Sequence, residues 1–298
     1  MGIEKIKYKI LFNFFKKKKK LLWTLINNLL TGSISVPTIS VLTLSEDTIL
    51  GKKKEKIFVT NDSYQTWYII NDKNFQEGFI KKIQSLIKKD QKYNFIDVGA
   101  NTGLLTKGIL NKIEHIENCY LVEPGEDNFF CIKNNLKNYK NVHSSNFALD
   151  THDGEKKLFI DKNNKGNLSF SYEMMSLDED KLNFLNDKND FIITTCKKTD
   201  NFFNEIRNDL KNIIKIDVQG HDEVVFQEIP TETLKKTLIL IIEITPLITK
   251  KIDFVKFSRN LDCFKKFTDF KGKEYSKDDV INLVKRMKGK SFDLVFLN

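Results

Sequence analysis

From Tyr93 onward, short apolar runs alternate with segments of helical period, and few folds accommodate that alternation. "NFIDVG" reads as a buried strand followed by a helix. "CYLVEP" is a second strand, with "NFFCIKNNLKN" as the helix behind it. "VHSSNFALD" is a third, "IIKIDVQG" a fourth with a helix from about Asp222, and "TLILIIEI" a fifth. Apolar strands separated by helices predict a parallel sheet covered on both faces, a doubly wound α/β fold. "KKLFID", "NLSFSYE" and "DFIITTC" read as extra strands or an inserted hairpin between the third and fourth. "SFDLVFLN" reads as a last strand closing an edge of the sheet. Upstream, "SISVPTISVLTL", "KIFVT" and "QTWYII" predict short strands. Phe75, Phe79, Ile83, Leu86 and Ile87 recur at helical spacing over residues 75–89. The expected organisation is an extension over 1–90 and an α/β domain over 91–298.

The turn after the first alternating strand is the most informative local feature. It reads D-x-G-x-N-x-G, from Asp97 through Gly99 and Asn101 to Gly103. In an open parallel sheet, ligands bind beyond the carboxyl ends of the strands. Glycines there let the backbone approach a ligand, and the following helix offers free N–H groups. The dinucleotide fingerprint needs glycines at i, i+2 and i+5. From Gly99 those positions hold Gly99, Asn101 and Leu104, so the pattern fails. The phosphate-loop pattern fails as well, since no G-K-[ST] follows. A carboxylate at Asp97 repels a pyrophosphate and suits a ligand amino group. The second strand ends in Glu123, an acid placed to accept hydrogen bonds from both hydroxyls of a ribose. An ammonium group, an adenosine ribose and no pyrophosphate together describe S-adenosylmethionine.

Charge and cysteine usage bound the partners. The 298-residue chain carries a net charge of +9, much of it in the runs Lys16 to Lys20 and Lys52 to Lys54. "ILFNFFKKKKKLLWTLINNLL" sets five lysines between two apolar patches. Asn27 and Asn28 interrupt the one candidate signal-peptide core, which is also too short to span a bilayer. Position 6 is Ile where a myristoylation motif has Ser or Thr. Residues 1–30 thus form a basic amphipathic segment, to be packed on the domain or a sister chain, or laid on an anionic membrane. Cys119, Cys131, Cys196 and Cys263 form no C-x-x-C pair, and His115, His143, His152 and His221 add no zinc spacing. A reducing compartment fits. The expected location is cytoplasmic, with peripheral binding at the inner membrane face if residues 1–30 lie on a membrane.

The blocks "FIDVGANTGLLT", "YLVEPGEDNFFCIKNNL", "NFALD", "ITTCKKTDNF", "IIKIDVQGHDEVVFQEI" and "LIIEI" resemble successive blocks of the FkbM family of S-adenosylmethionine-dependent methyltransferases. The resemblance runs from about Tyr93 to Ile244. It implies the seven-stranded, mostly parallel, Rossmann-like methyltransferase sheet. It also implies that Asp97, Gly99, Asn101, Gly103 and Glu123 line the cofactor, with Phe147 to Asp150, Ala148 and Asp150 among them, near the adenine. Family members mostly methylate hydroxyls, commonly on sugars of glycolipids, polysaccharides or natural products. Gln219 stands where the family usually has Glu.

An alcohol nucleophile must lose its proton near the transition state. Asp217, His221, Asp222 and Glu243 are candidates at the fourth and fifth strand ends, Asp217 and His221 foremost. Asp217, His221 and Asp222 also offer metal-ligand chemistry, but without a fixed spacing no metal is assigned. The function expected is O-methylation of a sugar-containing acceptor. The alternative is a non-catalytic module of the same fold that docks through its basic N-terminus. Nucleic acid is disfavoured, because no N-P-P-Y-like motif follows the fourth strand. An oligomer is compatible with the sequence.

Overall fold

The structure is a computed structural model and describes residues 39–60, 76–160, 168–171, 189–207, 209–245, 252–286 and 291–298. The basic segment over 1–30 and the strand expected at "QTWYII" lie outside these residues. A hairpin of β1 (Ile39–Thr43) and β2 (Lys56–Thr60) opens the described chain, followed by α1 (Glu77–Leu86). Then come β3 (Tyr93–Val98), α2 (Leu104–Lys112), β4 (Ile116–Val122), α3 (Glu126–Asn135) and β5 (Val142–Ser145). A second sheet follows, made of β6 (Ala148–Asp150), β7 (Gly154–Ile160), β8 (Leu168–Ser169) and β9 (Phe191–Lys198). The chain returns through α4 (Thr199–Asn204) to β10 (Lys211–Ile216), α5 (Asp222–Glu228), α6 (Thr231–Lys235) and β11 (Thr237–Ile244). It ends with α7 (Phe254–Leu261), β12 (Lys266–Thr268), β13 (Glu274–Tyr275), α8 (Lys277–Val284) and β14 (Phe292–Leu297).

The main sheet has the order β13-β12-β14-β11-β10-β3-β4-β5. β5, β4, β3, β10 and β11 are parallel, as the doubly wound reading requires. From β3 the chain winds outward to β4 and β5, then returns to β10 on the other side of β3. The strand order therefore reverses between β3 and β10, where a crevice opens. Alternation along each strand divides the core in two. Ile96, Val98, Ile214, Ile216, Leu240 and Ile242 pack with Phe226, Phe257 and Val280 from α5, α7 and α8. Tyr93, Phe95, Ile213, Ile239 and Ile241 pack on the other face with Ile80, Ile83, Leu104 and Ile132 from α1, α2 and α3. The β1–β2 hairpin joins this second cluster through Ile57 and Val59.

Three sequence readings change. The sheet has eight strands, the additional one being the two-residue β13. β14 does not close an edge: it lies between β11 and β12, antiparallel to both, with the short β12–β13 hairpin outside it. "VHSSNFALD" is two strands in two sheets. Asn146 stands at the break, its side chain donating to the carbonyls of Glu123 and Pro124 at 2.9 and 3.1 Å. The cysteines are free, three of them buried. No helix among the described residues is long and apolar enough to cross a membrane.

Phe296 is fully buried, and its ring meets those of Phe226, Phe264 and Phe267. Phe296→Ala should cost about 3–5 kcal/mol in denaturant unfolding. A loss below about 1 kcal/mol would show that β14 contributes little to the core.

Candidate active site

Period-two alternation sets the side chains at the carboxyl edge of the sheet. Asp97, Lys215 and Glu243 share the face of Phe95, Ile213 and Ile241, and Asp293 shares that of Val295. Asp97 and Lys215 are register partners across β3 and β10, and Glu243 and Asp293 across β11 and β14. The cleft beside them is lined by Gly99, Asn101, Glu123, Ala148, Lys215, Asp217, Gln219, His221 and Asp293. Leu158, Leu168 and Phe170, from β7 and the β8 region, line it as well.

The glycine turn is shaped by contact rather than by flexibility. Gly99 has φ 78°, and a Cβ there would lie 1.9 Å from the carbonyl oxygen of Asp217. Only glycine permits that approach. The Gly99 and Ala100 amides donate to the Val122 carbonyl at 2.9 and 3.1 Å. The Asn101 amide donates to Glu123 Oε2 at 2.8 Å. Glu123 Oε1 accepts from the Gly125 amide at 2.9 Å and from Asn128 Nδ2 at 3.2 Å. Burial pushes the Glu123 pKa up, against the opposing pull of these hydrogen bonds. A carboxylate oxygen has two lone pairs, so Oε2 retains acceptor capacity toward the cleft.

Gly99, Asn101, Glu123, Ala148, Asp217 and His221 therefore meet at one cleft, but Asp97, Gly103 and Asp150 stand behind its wall. Asp97 is fully buried: Oδ2 accepts from Thr106 Oγ1 at 2.7 Å, and Oδ1 lies 3.2 Å from Lys215 Nζ. Asp97 is not among the residues that line the cleft. Gly103, φ 74°, starts α2, and a Cβ there would press on Ile132. Asp150 Oδ1 lies 3.1 Å from His221 Nε2, and Oδ2 pairs with Lys156.

His221 is buried, held by Asp150 and edge-on to the Phe170 ring at 4.9 Å. The Asp217 side chain is 41% exposed, leaving it open to an acceptor. Its Oδ1 accepts from Gln219 Nε2 at 2.7 Å. Asp222 turns back onto its own loop, accepting from the amides of Val218 and Gly220 at 2.8 and 2.9 Å. Oxygens of Asp217, Asp222 and Glu243 lie within 4.8 Å of one another. This grouping holds Glu243 in place of His221, which faces Asp150. Burial, then repulsion from Glu223 and Asp217, pushes Asp222 well above the usual carboxylate range, and burial, then repulsion from Asp217 and Asp222, does the same to Glu243. The sequence reading passed over Lys215, although a lysine inside "IIKID" was a legible anomaly in a buried strand. Leu158, Leu168 and Phe170 gave no such signal, because their approach depends on the second sheet.

The chain matches the model of the methyltransferase FkbM domain over residues 97–274. It belongs to the FkbM methyltransferase family. No curated protein matches it. Among solved structures it is similar to methyltransferase FkbM from Methylobacillus flagellatus KT, with 13% identity and a TM-score of 0.42. That match covers 71% of this chain and 45% of the other, so the chain spans under half of that protein's length. Precorrin-6y C5,15-methyltransferase from Geobacter metallireducens GS-15 is 9% identical, with a TM-score of 0.34 and coverages of 74% and 87%. Geranyl diphosphate C-methyltransferase from Streptomyces coelicolor A3(2), solved with S-adenosyl-L-homocysteine, is 6% identical, with a TM-score of 0.36 and coverages of 94% and 97%. S-adenosylmethionine is the methyl donor that membership of this family implies. The residues fit it: the Gly99 turn has no room for a side chain, and Glu123 keeps a free lone pair beside that turn.

Glu223, next to this cleft, is buried and accepts from the Thr245 amide at 2.8 Å. Burial raises its pKa from 4.5 to about 7. Below pH 4.5 folded and unfolded chains both hold the proton; between 4.5 and about 7 only the folded chain does. Its contribution to stability is therefore lost as pH rises through that window. Glu223→Gln keeps the acceptor and removes the charge. It should raise stability by on the order of 1–3 kcal/mol at pH 8 and change little at pH 4. Melting curves at the two pH values check this, and a variant less stable at pH 8 would contradict it.

Proposed function

We propose that this methyltransferase transfers a methyl group from S-adenosylmethionine to a hydroxyl of a sugar-containing acceptor, with the chemistry held in residues 91–298. The observation that carries this reading is a cleft lined by two sets of polar groups. Glu123 and the Gly99–Asn101 turn offer ribose and amino-acid contacts. Beside them, the half-exposed Asp217 carboxylate and the Gln219 amide suit hydroxyl groups. Bound S-adenosylmethionine supplies an activated methyl group on a sulfonium. The chain's own task is to orient the acceptor and exclude water.

In this reading Asp217 accepts the acceptor's proton or orients its hydroxyl. His221, fixed by Asp150 as a base is fixed by a third group, is the second base. Gln219 suits this arrangement: its amide donates to Asp217, where a glutamate would set two carboxylates against each other. Leu158, Leu168 and Phe170 supply apolar surface on which a sugar ring can rest.

Calorimetry tests the cofactor end. The protein should bind S-adenosyl-L-homocysteine and not NAD, and Glu123→Ala should weaken binding by about 1.5–3 kcal/mol. NAD binding without a response to S-adenosyl-L-homocysteine would sink the reading. The acceptor end is tested by methyl transfer to a panel of saccharides and glycolipids. Asp217→Asn or His221→Ala should slow turnover by roughly 10²-fold or more while cofactor affinity holds. Wild-type turnover in either variant removes that residue from the mechanism.

A further inference from the structure

Lys215 is the one lysine or arginine among the described residues lining the cleft, and none of the roles above uses it. It sits in the strand KNIIKI, whose residues after Lys211 are all buried. A lysine there is tolerated only with its charge matched. Its ammonium donates to the Gly99 carbonyl at 2.8 Å. It also lies 3.2 Å from Asp97 Oδ1 and 3.5 Å from Asp217 Oδ2. Burial alone would lower its pKa, but Asp97 and then Asp217 outweigh that and raise it, so it stays charged.

The placement of these three contacts matters. Gly99 sends its amide to Val122 on β4 and its carbonyl to Lys215 on β10. The peptide between residues 99 and 100 is held on both sides, its carbonyl by Lys215 on β10 and its N–H, that of Ala100, by Val122 on β4. The next amides, of Ala100 and Asn101, then point to Val122 and Glu123. Asp97 holds the helix behind the turn through Thr106 and is register partner of Lys215.

We propose that Lys215 is a positioning residue for the cofactor: its ammonium clamps the Gly99 carbonyl and so sets the turn that presents Asn101 and Glu123 to S-adenosylmethionine. The proposal rests on the cofactor reading above. It differs from a purely structural role, in which Lys215 only neutralises buried Asp97.

Paired substitutions separate the two. Lys215→Met alone leaves Asp97 buried without its cation, and should both lower the melting temperature and weaken binding. Asp97→Asn combined with Lys215→Met removes both charges. The proposal expects the double variant to regain most of the lost melting temperature. It should still bind S-adenosyl-L-homocysteine at least 10-fold more weakly than wild type. Lys215→Arg is a second arm that does not depend on the double variant folding. It keeps the charge beside Asp97, but its larger planar head cannot occupy the same point against Gly99. It should melt near wild type and bind at least 10-fold more weakly. Wild-type affinity in either folded variant overturns the proposal. Wild-type protein is titrated first: failure there counts against the cofactor reading, whereas failure confined to the variants' predicted loss counts against Lys215 alone.

Discussion

The cleft depends on one close approach. Gly99 and the carbonyl of Asp217 are pressed together where β3 and β10 leave the sheet, with no space between them for a Cβ. The Asp217 amide donates to the Val98 carbonyl at 3.0 Å, so the two strand exits are tied by backbone before any side chain contributes. This contact joins the first strand of the winding to the strand at which its direction reverses. It brings Asn101 and Glu123, from one half of the sheet, opposite Asp217 and His221, from the other.

The electrostatics of that junction differ from those of the whole chain. The protein has a net charge of +9, yet the cleft gathers Glu123, Asp217 and Asp293 around a single lysine. Just behind stand Asp97, Asp222 and Glu223, all buried. Buried carboxylates are expensive unless each finds donors. Here most find backbone amides: Gly125 and Asn101 for Glu123, Val218 and Gly220 for Asp222, Thr245 for Glu223. The surplus basic charge lies mostly elsewhere, in the lysine runs. A polyanionic acceptor would meet an acidic site, which agrees with the reading of a sugar hydroxyl as the methylated group.

Much of this was legible in the chain because parallel strands covered on both faces read as uninterrupted apolar runs. "NFIDVG", "IIKIDVQG" and "TLILIIEI" announce themselves in that way. The glycines at 99 and 103 likewise mark positive-φ positions by composition alone. What sequence could not show was which way side chains turn. Asp97 reads as a cofactor contact, and nothing in the sequence turns its oxygens toward Thr106 and Lys215. Asp150 reads as an adenine contact, and nothing in the sequence sets it beside His221, 71 residues away. Strands of two or three residues, such as β12 and β13, carry too little pattern to stand out, and so the place of β14 was missed.

The central claim is that Glu123 and the turn at Gly99 hold the cofactor, and a crystal structure with S-adenosyl-L-homocysteine bound tests it most directly. The account predicts a ribose hydroxyl within hydrogen-bond distance of Glu123 Oε2, with the amino-acid end of the ligand against the backbone of residues 99–101. A ligand seated elsewhere, or one whose ribose does not touch Glu123, would contradict it.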